Sequence, residues 1–243
     1  MAVLPRTQLH FGRLALMVGI VIASVLFWET PALLPFKLLA VMGHETGHAL
    51  ASLIAGGSVE KVTLASNQSG SCLSSIPEGL FAKTLVYSAG YVGSALISVL
   101  LLALTFRFNA RRLMLGAACV WLSLMAIFYA RDVFTLGFCL AFAALFGIGA
   151  KWLPTSVVGA LNLFLATFTA LYAALDLKDD LWNGAVRAQS DAQLLANLTI
   201  VPAIIWALVW TVSSLLILAI GAWFAVNARA EAKATQPVAP VTA

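Results

Sequence analysis

Charge is what this sequence has least of. Asp, Glu, Lys and Arg make up 10% of its 243 residues, against about 25% in soluble domains, so a soluble fold has no means of covering the 62% that are hydrophobic. Histidine is scarcer still, at three in the whole chain, and cysteine also numbers three. Three cysteines make no even-numbered disulfide framework, and Cys119 and Cys139 fall in apolar runs where a cysteine is a small buried hydrophobe. The 14 Lys and Arg form no cluster, which removes the basic footprint that a nucleic-acid binder needs. No small-residue cleavage site follows the first apolar run. Glu29-Thr30-Pro31 stands there instead, so the run reads as a retained helix rather than a signal peptide.

What is present is hydrophobic length. Runs near the roughly 20 residues needed to cross a bilayer recur at 14–30, 33–55, 82–106, 112–130, 133–150, 154–175 and 201–226. The expectation is an all-α polytopic membrane protein with about six to seven transmembrane helices in a lipid bilayer. Residues 1–226 read as one membrane-embedded domain, and 227–243, rich in Ala, Pro, Thr and Val, as a disordered tail. With seven spans the Lys and Arg of the links divide evenly between the two sides, and the positive-inside rule returns no orientation. Short links suit a bacterial inner membrane.

Two local patterns stand out between the second and fourth runs. The alternating, β-branched stretch Val59-Glu60-Lys61-Val62-Thr63-Leu64, the turn-like Asn67-Gln68-Ser69-Gly70 and Ser71-Cys72-Leu73 predict a β-hairpin after the second helix. In the third run small residues lie four apart, at 89 and 93 and at 90 and 94, a spacing that lets helix backbones approach closely in lipid.

Chemistry concentrates in one place. His44-Glu45-Thr46-Gly47-His48 lies inside the second run, between Leu38-Leu39-Ala40-Val41-Met42 and Ala49-Leu50-Ala51. On a helix, residues i and i+4 share a face, so both imidazoles can reach one metal ion, while Glu45 lies about 100° round the helix, within reach of a water at the metal. Ionisable groups at membrane depth cost roughly 2.5–3.5 kcal/mol on insertion scales and mark function by default. A catalytic zinc site takes three protein ligands and leaves a position open. His10, before the first run, is poorly placed for the third. Glu29, Glu60, Glu78 and Glu231 sit in links or the tail, which leaves Asp132, Asp176, Asp179, Asp180 and Asp191. Each also has a plainer reading: Asp132 beside Arg131, Asp179 and Asp180 solvated at the interface, Asp191 at a helix start.

With these residues the chain resembles the site-2 protease family of intramembrane zinc metalloproteases, in a compact branch without extra domains. The likeness rests on the HExxH motif in a hydrophobic helix, its continuation His48-Ala49-Leu50 and Gly56-Gly57, the hairpin, and Ala89-Gly90-Tyr91-Val92-Gly93. It extends to Ser190-Asp191-Ala192 with Leu195-Ala196, Thr199, Pro202 and Trp206. The resemblance implies Zn2+ on His44, His48 and an aspartate, Glu45 as general base, and transmembrane proteins or peptides as substrates. Family members take the third ligand from an Asp-Gly pair, which this chain lacks. The resemblance centres on Asp191, with Asp176 as the alternative. A membrane-associated β element of the family receives the unwound substrate as an added strand, which nominates Val59, Val62 and Leu64 for substrate binding. No residue is named as oxyanion donor, although Asn183 and Asn197 lie near the acidic stretch and are available. Two other classes compete: a catalytically silent metal-binding scaffold or regulator, which the missing Asp-Gly pair favours, and a small transporter with His and Asp along an ion path, which a glutamate directly after the first histidine disfavours.

Overall fold

The structure, a computed structural model, describes residues 9–182 and 190–227, with the backbone alone for 177–182. In chain order it contains α1 (Phe11–Leu26), a 3-10 turn (Pro31–Leu33), α2 (Leu34–Ile54), β1 (Ser58–Leu64), β2 (Gly70–Ser75), and α3 (Leu80–Leu102) with a π-helical turn (Ala103–Arg107). Then follow α4 (Arg111–Phe128), α5 (Val133–Trp152), α6 (Thr155–Trp182), α7 (Asp191–Leu198) and α8 (Ala203–Val226). The chain is an all-α polytopic membrane protein with one small hairpin. The expected tail from 228 onward and Asn183 lie outside the described residues.

Among the described residues five helices are long and apolar enough to cross a membrane: Leu80–Arg107, Arg111–Phe128, Val133–Trp152, Thr155–Asp176 and Ala203–Val226. α1 is apolar but has 16 residues, about 24 Å at 1.5 Å per residue against a hydrocarbon core of about 30 Å. α2 has the length, with 21 residues, but Lys37 and the polar motif interrupt it. Lys37 is buried and lies over the Trp28 ring at 4.3 Å, a cation–π contact that shields an ammonium from lipid.

Hydrogen bonds show which helix ends meet. At the basal end the His10 amide donates to the Val226 carbonyl at 2.9 Å and the Arg13 guanidinium to that of Ala225 at 3.0 Å. Arg112 donates to the carbonyls of Lys151 and Leu153, and the Asn162 amide to Thr105 Oγ1 and the Arg111 carbonyl, both at 3.0 Å. At the opposite end, the Val62 amide donates to the Tyr129 carbonyl at 2.9 Å and the Leu64 amide to Thr135 Oγ1 at 2.8 Å. These bonds fasten the hairpin to the link between α4 and α5. Phe36, in the first turn of α2, packs on Phe164 and Phe168, in the middle of α6. α2 therefore starts inside the bundle, and α1 and α2 divide one crossing between them.

This corrects the alternating seven-span scheme, in which the two halves of one crossing count as two. Among the described residues Arg13, Arg107, Arg111, Arg112 and Lys151 belong to the basal end, and Lys61, Lys83 and Arg131 to the hairpin end. Lys83 is paired with Glu78 at 2.8 Å. With the ends regrouped, the positive-inside rule gives the basal end on the cytoplasmic side as the expectation to test. In a background free of Cys72, Cys119 and Cys139, Phe108→Cys should react with a membrane-impermeant maleimide only after permeabilisation, and Ser66→Cys in intact cells. The reverse pattern would exclude this orientation.

Candidate metal centre

The site begins with a close crossing of α2 over α3. A Cβ built on Gly47 would overlap the Ala89 carbonyl, one on Gly90 would overlap the His44 imidazole, and one on Gly93 would stand 3.5 Å from the Gly47 Cα. The small residues spaced four apart thus pack two backbones together, and at Gly90 they also make room for a histidine ring.

Because the backbones are so near, His48 reaches α3 directly. Its Nδ1 donates to the Val86 carbonyl at 2.7 Å. A carbonyl can only accept, so Nδ1 carries a proton and Nε2 is the nitrogen that faces the site. That Nε2 lies 2.9 Å from His44 Nε2. Asp191 Oδ2 meets them at 3.1 Å from His48 and 3.3 Å from His44.

Asp191 arrives on α7, a short helix within what reads in the sequence as an acidic link. Ser190 caps it, its Oγ accepting from the Gln193 amide at 3.3 Å, a standard way of satisfying a helix start. Asp191 is the first helical residue, where the macrodipole favours an anion. Thr199 Oγ1 accepts from Trp206 Nε1 at 3.2 Å and donates to the Leu195 carbonyl at 2.9 Å, holding the turn from α7 into α8.

His44, His48 and Asp191 are the one group of His, Cys, Asp or Glu among the described residues whose ligand atoms converge, all within 4.8 Å of one another. Their chemistry fits zinc. A tetrahedral ion with bonds of about 2.0–2.1 Å holds its ligand atoms about 3.3–3.4 Å apart, close to the separations found. Two imidazole nitrogens and a carboxylate oxygen, one nitrogen with its tautomer set by a backbone carbonyl, are ordinary zinc donors with ordinary outer support.

Glu45 lies beside this triangle, 7% exposed, under the hairpin. A Cβ on Gly70 would stand 2.6 Å from Glu45 Oε1 and 2.5 Å from Val41 Cγ1, so the start of β2 rests on the carboxylate. Thr46 donates to the Met42 carbonyl at 2.7 Å and accepts from Trp121 Nε1 at 3.1 Å, which ties the motif's helix to α4. Burial pushes the Cys72 thiol up to about 12, with the Glu45 charge adding to it. Cys72 is not among the converging donor atoms.

The other nominated residues stand elsewhere. Asp176, on α6, is near enough for its charge to act on His44 and Glu45 but is not among the converging donors. Asp132 caps α5, accepting from the Thr135 amide at 2.8 Å, while Arg131 donates to the Ala130 carbonyl at 3.2 Å and to Phe128 and so closes the end of α4. Neither serves the other as an ion pair. Asn197 is exposed and accepts from Gln193 at 2.9 Å. The side chains of Asp179 and Asp180 lie outside the described residues. On β1, Val62 and Leu64 are buried and Val59 half-buried. Val62 and Leu64 have also committed their amides, to the Tyr129 carbonyl after α4 and the Thr135 hydroxyl in the first turn of α5.

Three contributors escape sequence reading: the Val86 carbonyl, Gly70 and Tyr91. A carbonyl leaves no trace in residue type, and Gly70 reads first as a turn residue. Tyr91 was visible only as part of Ala89-Gly90-Tyr91-Val92-Gly93.

A family model described as Peptidase M50B-like matches residues 17–221, a stretch that includes the motif, the hairpin and α7. The chain belongs to the Peptidase M50B-like family. No curated protein and no solved structure matches it. Membership bears out the resemblance to site-2 proteases, and the M50B-like chain is by family an intramembrane metalloprotease.

The Gly90 contact generates a prediction. Gly90→Ala should lower zinc content roughly tenfold or more, the scale of disturbed support around a metal ligand, with helicity retained. Gly116→Ala, where a Cβ meets nothing within 4 Å, should bind zinc as wild type does, and equal loss in both would remove the steric argument.

Proposed function

We propose that this M50B-like chain is a zinc metalloendopeptidase that hydrolyses peptide bonds of transmembrane proteins or peptides, with the bacterial inner membrane as its residence. The observation that carries this reading is the convergence of His44 Nε2, His48 Nε2 and Asp191 Oδ2 beside a buried Glu45. When bound, zinc polarises a carbonyl and brings the pKa of water from 15.7 to about 7.

The protein's own groups do the rest. The two histidines and Asp191 hold the ion. Glu45, fixed on the same helix and roofed by Gly70, accepts the proton of the attacking water as its oxygen bonds to the scissile carbon. It returns that proton to the amine as the C–N bond breaks. The surrounding apolar helices keep bulk water from the carboxylate, and low dielectric strengthens the interactions inside.

A transmembrane helix satisfies its own backbone hydrogen bonds, so a substrate segment must unwind before its peptide bond is open to attack. Strand addition to the hairpin stabilises that unwound state, and the β1–β2 register supports one edge over the other for it. Val62 and Leu64 point their amides away from β2. In an antiparallel ladder their partners Cys72 and Gly70 then turn their own amides and carbonyls away from β1. The outer edge of β1 is occupied by the α4–α5 link, so we place the added strand on β2, with Val59, Val62 and Leu64 supporting it from behind.

Two experiments test this. In purified protein Glu45→Gln should keep zinc and lose cleavage of a model transmembrane substrate by roughly 100- to 10,000-fold, while His44→Ala and Asp191→Ala lose both and Asp176→Ala keeps zinc. Zinc retained in Asp191→Ala and lost in Asp176→Ala would transfer the third ligand to Asp176. Wild-type protein that binds zinc but cleaves nothing would be the silent scaffold instead. For the edge, Cys72→Pro removes only an outward amide, which an edge strand tolerates. It should impair cleavage with zinc content intact, and normal turnover would rule out pairing at β2.

A further inference from the structure

Tyr91 is a residue of the site that metal chemistry does not require. It is 3% exposed, and its ring stands edge-to-face with the His44 imidazole, centroids 4.6 Å apart at 83°. The same ring stacks on Trp210 of α8 at 5.4 Å and 21°. Trp210 is 2% exposed, and its indole N–H donates to Ser88 Oγ at 3.1 Å, one turn of α3 before Tyr91 and Val92. The ring pair is thus pinned to α3 at both ends.

The same rings hold α7. Ala192 and Leu195 are buried against Tyr91, Trp210 and Ala207, and Ala192 is the neighbour of Asp191. α7 has eight residues, too few to persist by its own hydrogen bonds, and it packs chiefly on α3 and α8. Toward α2 it extends the Asp191 carboxylate. One aromatic plate therefore touches a ligand on one side and seats the helix that delivers another ligand on the other. Planar rings supply a contact direction that an aliphatic side chain of similar volume lacks.

We propose that the Tyr91–Trp210 pair is the positioning element of the metal centre, setting the His44 ring and the α7 helix so that Asp191 meets both histidines. The proposal rests on His44, His48 and Asp191 as the ligand set. It makes α8 a part of the site although α8 supplies no ligand.

The test measures binding of zinc alone, by competition with a chelator, to purified full-length protein in detergent. Helical content and unfolding midpoint of the metal-free protein are measured alongside. Tyr91→Leu and Trp210→Leu should weaken zinc binding by roughly 10- to 100-fold, the range for groups that support metal ligands, with helical content unchanged. Tyr91→Phe and Trp210→Phe, which keep a ring, should bind close to wild type. Where Tyr91→Leu does not fold, Trp210→Leu, one ring further from the ligands, carries the comparison. Folded leucine variants with wild-type affinity would overturn the proposal. So would phenylalanine variants as weak as the leucine ones, which would place the effect in the hydroxyl or the indole N–H. Collapse of both leucine variants also overturns it, since the pair then serves the fold as a whole. A wild-type protein that binds no zinc overturns the ligand set instead.

Discussion

The rest of this structure depends on how closely α2 approaches α3. At Gly47 and Gly90 there is no room for a β-carbon on either helix, and that contact brings His48 to the Val86 carbonyl and the His44 ring against α3. Lipid offers no hydrophobic drive for helices to associate, so small residues that admit tight packing are the means available. The crossing places two imidazoles at one point in an apolar bundle, and the carboxylates, the hairpin and the aromatic plate are arranged around it.

Polar groups elsewhere in the bundle follow the same economy of partners. Thr46 satisfies both its own helix and Trp121 of α4. Asn162 bridges α6 to the π-helical turn and the start of α4, and Lys37 lies on an indole face. Among the described residues the hairpin has no further strand to join, so the Tyr129 carbonyl at the end of α4 and the Thr135 hydroxyl of α5 meet its outer amides. That anchorage keeps Gly70 over Glu45.

Much of this was legible from residue order. Hydrophobic length locates the long helices, alternation between Val59 and Leu64 locates a strand, and the four-residue spacing of His44 and His48 places two imidazoles on one face. These are local properties, written within a few turns of chain. Asp191 came into view through the resemblance, because its meeting with the histidines joins the first quarter of the chain to the last. The division of one crossing between α1 and α2 was hidden, since each run looks complete alone. Which strand has an open edge was hidden too, because it depends on where Tyr129 and Thr135 fall. A residue such as Tyr91 reads as packing until its neighbours His44 and Trp210 are known.

Asp191 sits on a short helix far along the chain from the histidines, and this gives the metal a second role in terms of chain statistics. From His48 to Asp191 is 143 positions, 191 minus 48, and a bridge between them closes that loop. Loop closure removes freedom that grows only slowly with length, and a site absent from the unfolded chain turns binding energy into folding energy. An ion on these three atoms would thus act as a cross-link. It would add a tie between α2 and α7 to the packing that already holds α7 and α8 on α3, as a disulfide does in a secreted domain, so that the proposed metal site would also serve as a fastening of the chain's last quarter.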